Sequence, residues 1–174
     1  GTSLAHPHSQ LIATGVAPRH LRWREAIAAE HFDKWGRCVM CDILAFELEE
    51  QSRLVFENRS FAVVVPFAAE APFETWIVPR VHRADFGHAP TGELADLAEA
   101  LHRLLSTFRN QLSDPDYNYV VHTAPQYKAG EPHLHWYLHV RPRLTTRAGF
   151  EIGSGMRINP SLPESDAAFL RERV

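Results

Sequence analysis

The chain has 174 residues, 45% hydrophobic and 22% charged, which is the size and composition of one globular domain with enough apolar content for a core. A formal charge of −3 and the lack of a Lys/Arg stripe exclude the electrostatic footprint of a nucleic-acid binder. No apolar run approaches the roughly 18 residues of a membrane span. No basic segment followed by an apolar one opens the chain, so it reads as cytoplasmic rather than secreted.

In chain order, residues 3–14 read as an extended segment, with Pro7 restricting it to a sheet edge or a strand end. Residues 21–35 predict a helix with Leu21, Ile27, Phe32 and Trp35 on its apolar side, stopped by Gly36. A second helix starts at the cysteine pair and runs through ILAFELEEQ. The runs RLVFEN, FAVVVPF and FETWIVP predict three strands, with Asn58-Arg59-Ser60 turning the first into the second. The longest helix is predicted over about 91–112, where Leu94, Leu97, Leu101, Leu104, Leu105, Phe108 and Leu112 follow helical spacing. That stripe reads as core rather than as a ligand site. NYVVHTA and LHWYLHVRPRL predict two more strands, and GFEIGSGMRINP a Gly-punctuated strand or loop. ESDAAFLRERV closes the chain as a helix starting at Ser161 or Ser165. The fold class is therefore α+β, an antiparallel sheet with one long helix packed on it.

A faint internal repeat is present. His6-Pro7-His8-Ser9-Gln10 and His135-Trp136-Tyr137-Leu138-His139 share one frame of alternating positions, and on a strand each triplet shares a face. The second triplet has a whole domain in front of it; the first has five residues. The expected division is residues 1–20 as the tail of one repeat and 21–174 as a complete second repeat.

Eleven histidines and two cysteines supply the chemistry. Cys38 and Cys41 are separated by two residues, the spacing at which both sulfurs reach one tetrahedral ion. His82, just after a predicted strand, and His135, on a later one, are the expected remaining ligands of a closed, structural zinc site. A redox pair and two inert buried thiols are the competing readings of the cysteines; the thioredoxin-like pattern wants a tryptophan directly before the first cysteine, and Trp35 is displaced from that place. His122, His133 and His139 are left unassigned, with His139 expected near the metal.

At the other end of the chain, His8 fits the needs of a nucleophile toward phosphorus: a main-chain carbonyl can hold Nδ1–H and leave Nε2 free. Gln10 shares its face and can donate to a phosphate oxygen, Ser3 and Ser9 are nearby hydroxyl donors, and His6 can hold a metal that stiffens the strand. The bland alternative is a frayed terminus with incidental histidines.

These segments resemble the galactose-1-phosphate uridylyltransferase branch of the histidine-triad superfamily. GTSLAHPHSQ resembles that branch's active-site segment, and GRCVMC, FAVVVPFAAEAPFETWIVPRVH, DYNYVVHTAP, LHWYLHVRPRLTTRAGFEIGSG and INPSLPE follow in the family's order. The likeness is strongest to the zinc-containing, ADP-glucose phosphorylase-like subgroup. It implies a full-length enzyme of two histidine-triad repeats that transfers a nucleoside monophosphate through a nucleotidyl-histidine. It implies His8 as the nucleophile, Gln10 as the phosphate-binding glutamine, and His6 as a ligand of the first repeat's zinc, whose other ligands lie outside this sequence. It matches Cys38, Cys41, His82 and His135 to the second repeat's zinc, and Phe150, Glu151 and Asn159 to the region near the hexose. In the second triplet Tyr137 stands in the nucleophile's place and His139 in the glutamine's, so the complete repeat is expected to be catalytically silent.

The resemblance thus implies the C-terminal half of a hexose-1-phosphate nucleotidylyltransferase of galactose metabolism, converting UDP-glucose and galactose 1-phosphate to glucose 1-phosphate and UDP-galactose. Its implied partners are UDP-hexose, hexose 1-phosphate, an N-terminal half supplied as a missing segment or a separate chain, and another copy in a homo-oligomer. An exposed sheet edge is expected where the missing strands belong. Adenylyl transfer from ADP-glucose to phosphate, and a non-catalytic zinc-bound docking module, are the alternatives.

Overall fold

The computed structural model describes residues 15–146 and 148–172. The helix α1 (Arg19–Trp35) ends where Gly36 takes a left-handed conformation, φ 68°, and its N–H caps the Phe32 carbonyl at 2.7 Å. α2 (Val39–Glu50) starts immediately after, with Cys38 at its N-cap. β1 (Leu54–Glu57) and β2 (Phe61–Val64) form the expected hairpin: the Asn58 side-chain oxygen accepts from the backbone N–H of Ser60 at 3.1 Å and of Phe61 at 2.9 Å. β3 (Thr75–Pro79), the long α3 (Thr91–Gln111), β4 (Tyr117–His122) and β5 (Tyr137–Pro142) follow. The strands make one five-stranded sheet in the order β1-β2-β3-β5-β4, with every neighbouring pair antiparallel.

The alternation of β2, β3 and β5 divides the core in two. Phe61, Val63, Ile77, Leu138 and Val140 face Leu104 and Phe108 of α3 and Leu170 of the last helix. Trp136, just before β5 and fully buried, meets Phe61 and Phe86 edge-on at centroid distances of 5.7 and 5.0 Å. The opposite face carries Ala62, Val64, Val78 and Tyr137 against Leu44 of α2. The long helix expected on the sheet is α3; α2 packs on the opposite face, and α1 reaches the same face through Arg24 at Tyr137.

Three local expectations are corrected. The segment GFEIGSG is not a strand: Gly149–Ser154 is a short helix, α4, stopped at Gly155 with φ 74°. Its glycines mask the helical signal, but the Glu151 carboxylate accepts from the Ala148 N–H at 3.2 Å and closes the first turn. The last helix, α5 (Pro163–Arg171), starts at neither serine: Leu162 is the N-cap, Pro163 holds the first helical position and Ser165 lies inside. His135 precedes β5 rather than lying on it, because the Trp136 N–H bonds the Arg83 carbonyl at 2.9 Å outside the strand ladder. Among the described residues no helix is long and apolar enough to cross a membrane.

Candidate functional site

The antiparallel pairing of β3 with β5 sets the end of one beside the start of the other. His82 lies just beyond β3 and His135 just ahead of β5, so both imidazoles arrive at one corner of the sheet. The N-terminal turn of α2 brings Cys38 and Cys41 to the same corner, and the four ligand atoms all lie within 4.8 Å of one another. Cys41 Sγ is 3.3 Å from His82 Nδ1 and 3.4 Å from His135 Nδ1. A tetrahedral ion with bonds of roughly 2.3 Å to sulfur and 2.0 Å to nitrogen would set such a pair about 3.5 Å apart. His135 Nε2 sits 3.1 Å from the Pro79 carbonyl, a contact that orients the ring and leaves Nδ1 for a metal.

The electrostatics agree with that use. Burial and the neighbouring Cys38 thiol push the Cys41 thiol up to about 12. Burial, with His82 beside it, lowers His135 to about 4, and burial also lowers His82. The Cys41 thiol and the two imidazoles thus favour their neutral forms, and a divalent cation reverses that preference for a thiol ligand. This four-residue cluster can hold a metal.

His139 is not near that cluster. The alternation of β5 carries it to a second group, where its Nε2 approaches Glu74 Oε1 to 3.2 Å and its ring lies 5.7 Å from that of His122. His122 stacks on Tyr137 at 4.6 Å, and Trp76 lies 4.8 Å from Tyr137 on another side. Tyr137 is 3% exposed, and its hydroxyl accepts a hydrogen bond from Arg24 Nη2. Burial, followed by the Arg24 cation, lowers His122 to about 3, and among the described residues its buried Nε2 meets no hydrogen-bond partner. Burial raises the Glu74 carboxyl, but the His139 contact and the backbone N–H of Glu70 outweigh it and hold it below its ordinary value. Sequence reasoning missed Arg24 and Glu74. Arg24 looks like any exposed helical arginine, and only the packing of α1 over β4 and β5 gives it a buried partner.

A third feature is an open cavity of about 520 Å³ between β4, β5 and α4, with His139, Arg141, Arg143 and Glu151 in its wall. Glu151 also accepts from the Ile158 N–H at 3.3 Å. Phe150 is exposed on α4. Asn159 is engaged internally: its amide donates to the Ala69 carbonyl at 3.1 Å and its oxygen accepts from the Ser161 N–H at 3.1 Å. Ser3, His6, His8, Ser9 and Gln10 lie outside the described residues.

Comparison with known proteins adds the following. The family described as galactose-1-phosphate uridyl transferase, C-terminal domain, matches residues 23–170. The chain is 38% identical to an ADP-glucose phosphorylase of Arabidopsis thaliana over 175 residues, covering 99% of this chain and 48% of that protein. It is 29% identical to a galactose-1-phosphate uridylyltransferase of Thermotoga maritima over 181 residues, covering 99% of this chain and 56% of that one. Among solved structures, a uridylyltransferase mutant superposes with a TM-score of 0.89 at 32% identity, covering 99% of this chain and 58% of that chain. A histidine triad family protein from Mycobacterium smegmatis shares the fold, with a TM-score of 0.53 at 22% identity over 78% of this chain and 91% of that chain. The chain spans about half the length of the curated relatives it matches.

Proposed function

The chain belongs to the galactose-1-phosphate uridylyltransferase family, as its C-terminal domain, and from that premise we propose that it is the C-terminal half of a hexose-1-phosphate nucleotidylyltransferase. Residues 1–20 are the tail of a first repeat and carry the chemistry; residues 21–174 are the second repeat. One observation carries this division of labour. Tyr137, in the position that corresponds to the nucleophile, is buried and its hydroxyl is held by Arg24. Buried, and with its oxygen engaged by Arg24, that hydroxyl has no open approach to a phosphorus centre. That supports assigning nucleophilic attack to His8.

In the first half-reaction His8 Nε2 attacks the α-phosphorus of UDP-glucose. The new N–P bond forms as the P–O bond to glucose 1-phosphate breaks, and that phosphate leaves with the bonding pair. In the second, a phosphate oxygen of galactose 1-phosphate attacks the same phosphorus, the N–P bond breaks, and His8 is regenerated. Gln10, Ser3 and Ser9 donate hydrogen bonds to the phosphoryl oxygens as charge develops there. Phe150, Glu151 and Asn159 border the sugar, Asn159 by holding the chain between Ala69 and Ser161. Cys38, Cys41, His82 and His135 would hold a zinc ion, which with four protein ligands would serve as a structural tie. His6 would be a ligand of a second zinc completed by the N-terminal half. Thiolate ligands suit the reducing cytoplasm, where they escape oxidation.

A second reading has a specific observation behind it: the relative at 38% identity is an ADP-glucose phosphorylase. Adenylyl transfer to inorganic phosphate keeps His8 and changes only base and acceptor. The discriminating experiment joins this chain to its N-terminal half, loads it with UDP-glucose or ADP-glucose, and discharges it with galactose 1-phosphate or phosphate. Uridylyl loading discharged by galactose 1-phosphate supports the first reading. Adenylyl loading discharged by phosphate supports the second.

A further inference from the structure

The four residues of the metal cluster reach their corner on two kinds of support. His82 and His135 flank β3 and β5, whose ladder pairs Thr75 with Val140, Trp76 with His139 and Ile77 with Leu138. Cys38 and Cys41 stand instead at the N-cap and in the first turn of α2, straight after an elbow of residues 36–38. Gly36 turns the chain out of α1 at φ 68° and Cys38 is extended at ψ 128°, so neither helix runs through the elbow. Leu44, three residues past Cys41, is buried against Ala62, Val64 and Val78. Burial is non-directional. It holds α2 on the sheet and leaves the rotation of its first turn loosely set, whereas two sulfurs meet one tetrahedral ion only over a narrow range of that rotation.

Asp42 supplies the direction. Its N–H closes the first turn of α2 on the Cys38 carbonyl at 3.1 Å, and its side chain is the next one after Cys41. Both of its carboxylate oxygens are engaged. Oδ2 lies 2.9 Å from Nε2 of His31 on α1, and Oδ1 lies 3.3 Å from Nε of Arg37 in the elbow. One carboxylate thus ties α1, the elbow and the first turn of α2 together. The His31 side chain is 24% exposed and the Arg37 side chain 67%, so solvent screens the second contact more. Holding α1 to the sheet does not need this brace. Arg24 on the Tyr137 hydroxyl and Glu25 with Lys128 already tie the first half of α1 to β5 and to the segment between β4 and β5. The His31 contact acts at the other end of α1, beside the cysteines.

We propose that His31 and Arg37 are positioning residues of the metal site, acting through Asp42: they fix the rotation of the first turn of α2 and keep Cys38 and Cys41 aligned with His82 and His135. The proposal rests on the reading of that cluster as a zinc site and is independent of transfer at His8.

The test is the rate at which the zinc-loaded chain gives up its metal to an excess of a chromogenic chelator, with total zinc measured first. His31→Leu releases zinc about tenfold faster than the unaltered chain. Arg37→Gln, at an exposed position, releases it about threefold faster. His31→Gln, whose amide can still donate to Asp42, restores slow release. Leu104→Ala, which weakens the core on the other face of the sheet, leaves the rate unchanged. Unchanged release in His31→Leu, or in Arg37→Gln should His31→Leu not fold, overturns the brace. So does release from His31→Gln as fast as from His31→Leu, or equal acceleration by Leu104→Ala, which would mark a general loss of stability. An unaltered chain that takes up no zinc overturns the metal site and the brace with it.

Discussion

Cys38 and Cys41 were legible because a two-residue spacing is a local property that needs no knowledge of the fold. His82 and His135 followed from their places near strand ends, and antiparallel pairing of β3 with β5 then brings those ends together. Replacing Cys41 by serine removes a thiolate from a site that otherwise has all four ligands in reach. The purified chain is expected to carry about one zinc and the Cys41→Ser chain close to none, measured by total metal analysis. His122 gives a pH prediction. An unfolded histidine titrates near 6.5, whereas burial and Arg24 lower His122 to about 3. Between these values the unfolded chain binds the extra proton, so stability is full above about 6.5 and is lost as pH falls toward 3. The contribution approaches about 1 kcal/mol per pH unit. His122→Phe, which keeps the stack on Tyr137, flattens that part of the melting-temperature profile; parallel profiles would contradict the assignment. None of this was readable from the sequence, because Arg24 and His122 are 98 positions apart.

At the scale of elements, the strands and the long helix were legible because their periods are strong and their boundaries are marked. Gly36, the Asn58 turn and the Leu stripe of α3 each act locally. Leu104 is fully buried between α3 and the sheet. Leu104→Ala is expected to cost about 3 kcal/mol in chemical unfolding, the transfer loss plus the cavity left behind. α4 was not legible, because three glycines lie in or just after six helical residues and its stability depends on what Glu151 bonds rather than on propensity. Gly155 takes φ 74° at its end, a conformation that disfavours a Cβ. Gly155→Ala is expected to destabilise by about 1 kcal/mol.

At the scale of the whole molecule, the two sheet edges differ. β1 is covered by α5, whose Arg171 donates to the Leu54 carbonyl at 2.9 Å and the Gln51 carbonyl at 2.6 Å. β4 has Tyr117, Tyr119 and Val120 exposed. An exposed, largely uncharged edge is a template for another strand. The sequence pointed to such an edge only through its incomplete repeat; which strand forms it depends on the topology, since β5 inserts between β3 and β4. The central claim is that the second repeat is silent and His8 carries the nucleotide. It is tested most directly by intact mass of this chain, joined to its N-terminal half and incubated with UDP-glucose. The account predicts one nucleotidyl adduct per chain that disappears in His8→Ala and survives in Tyr137→Phe. An adduct that persists in His8→Ala would contradict it.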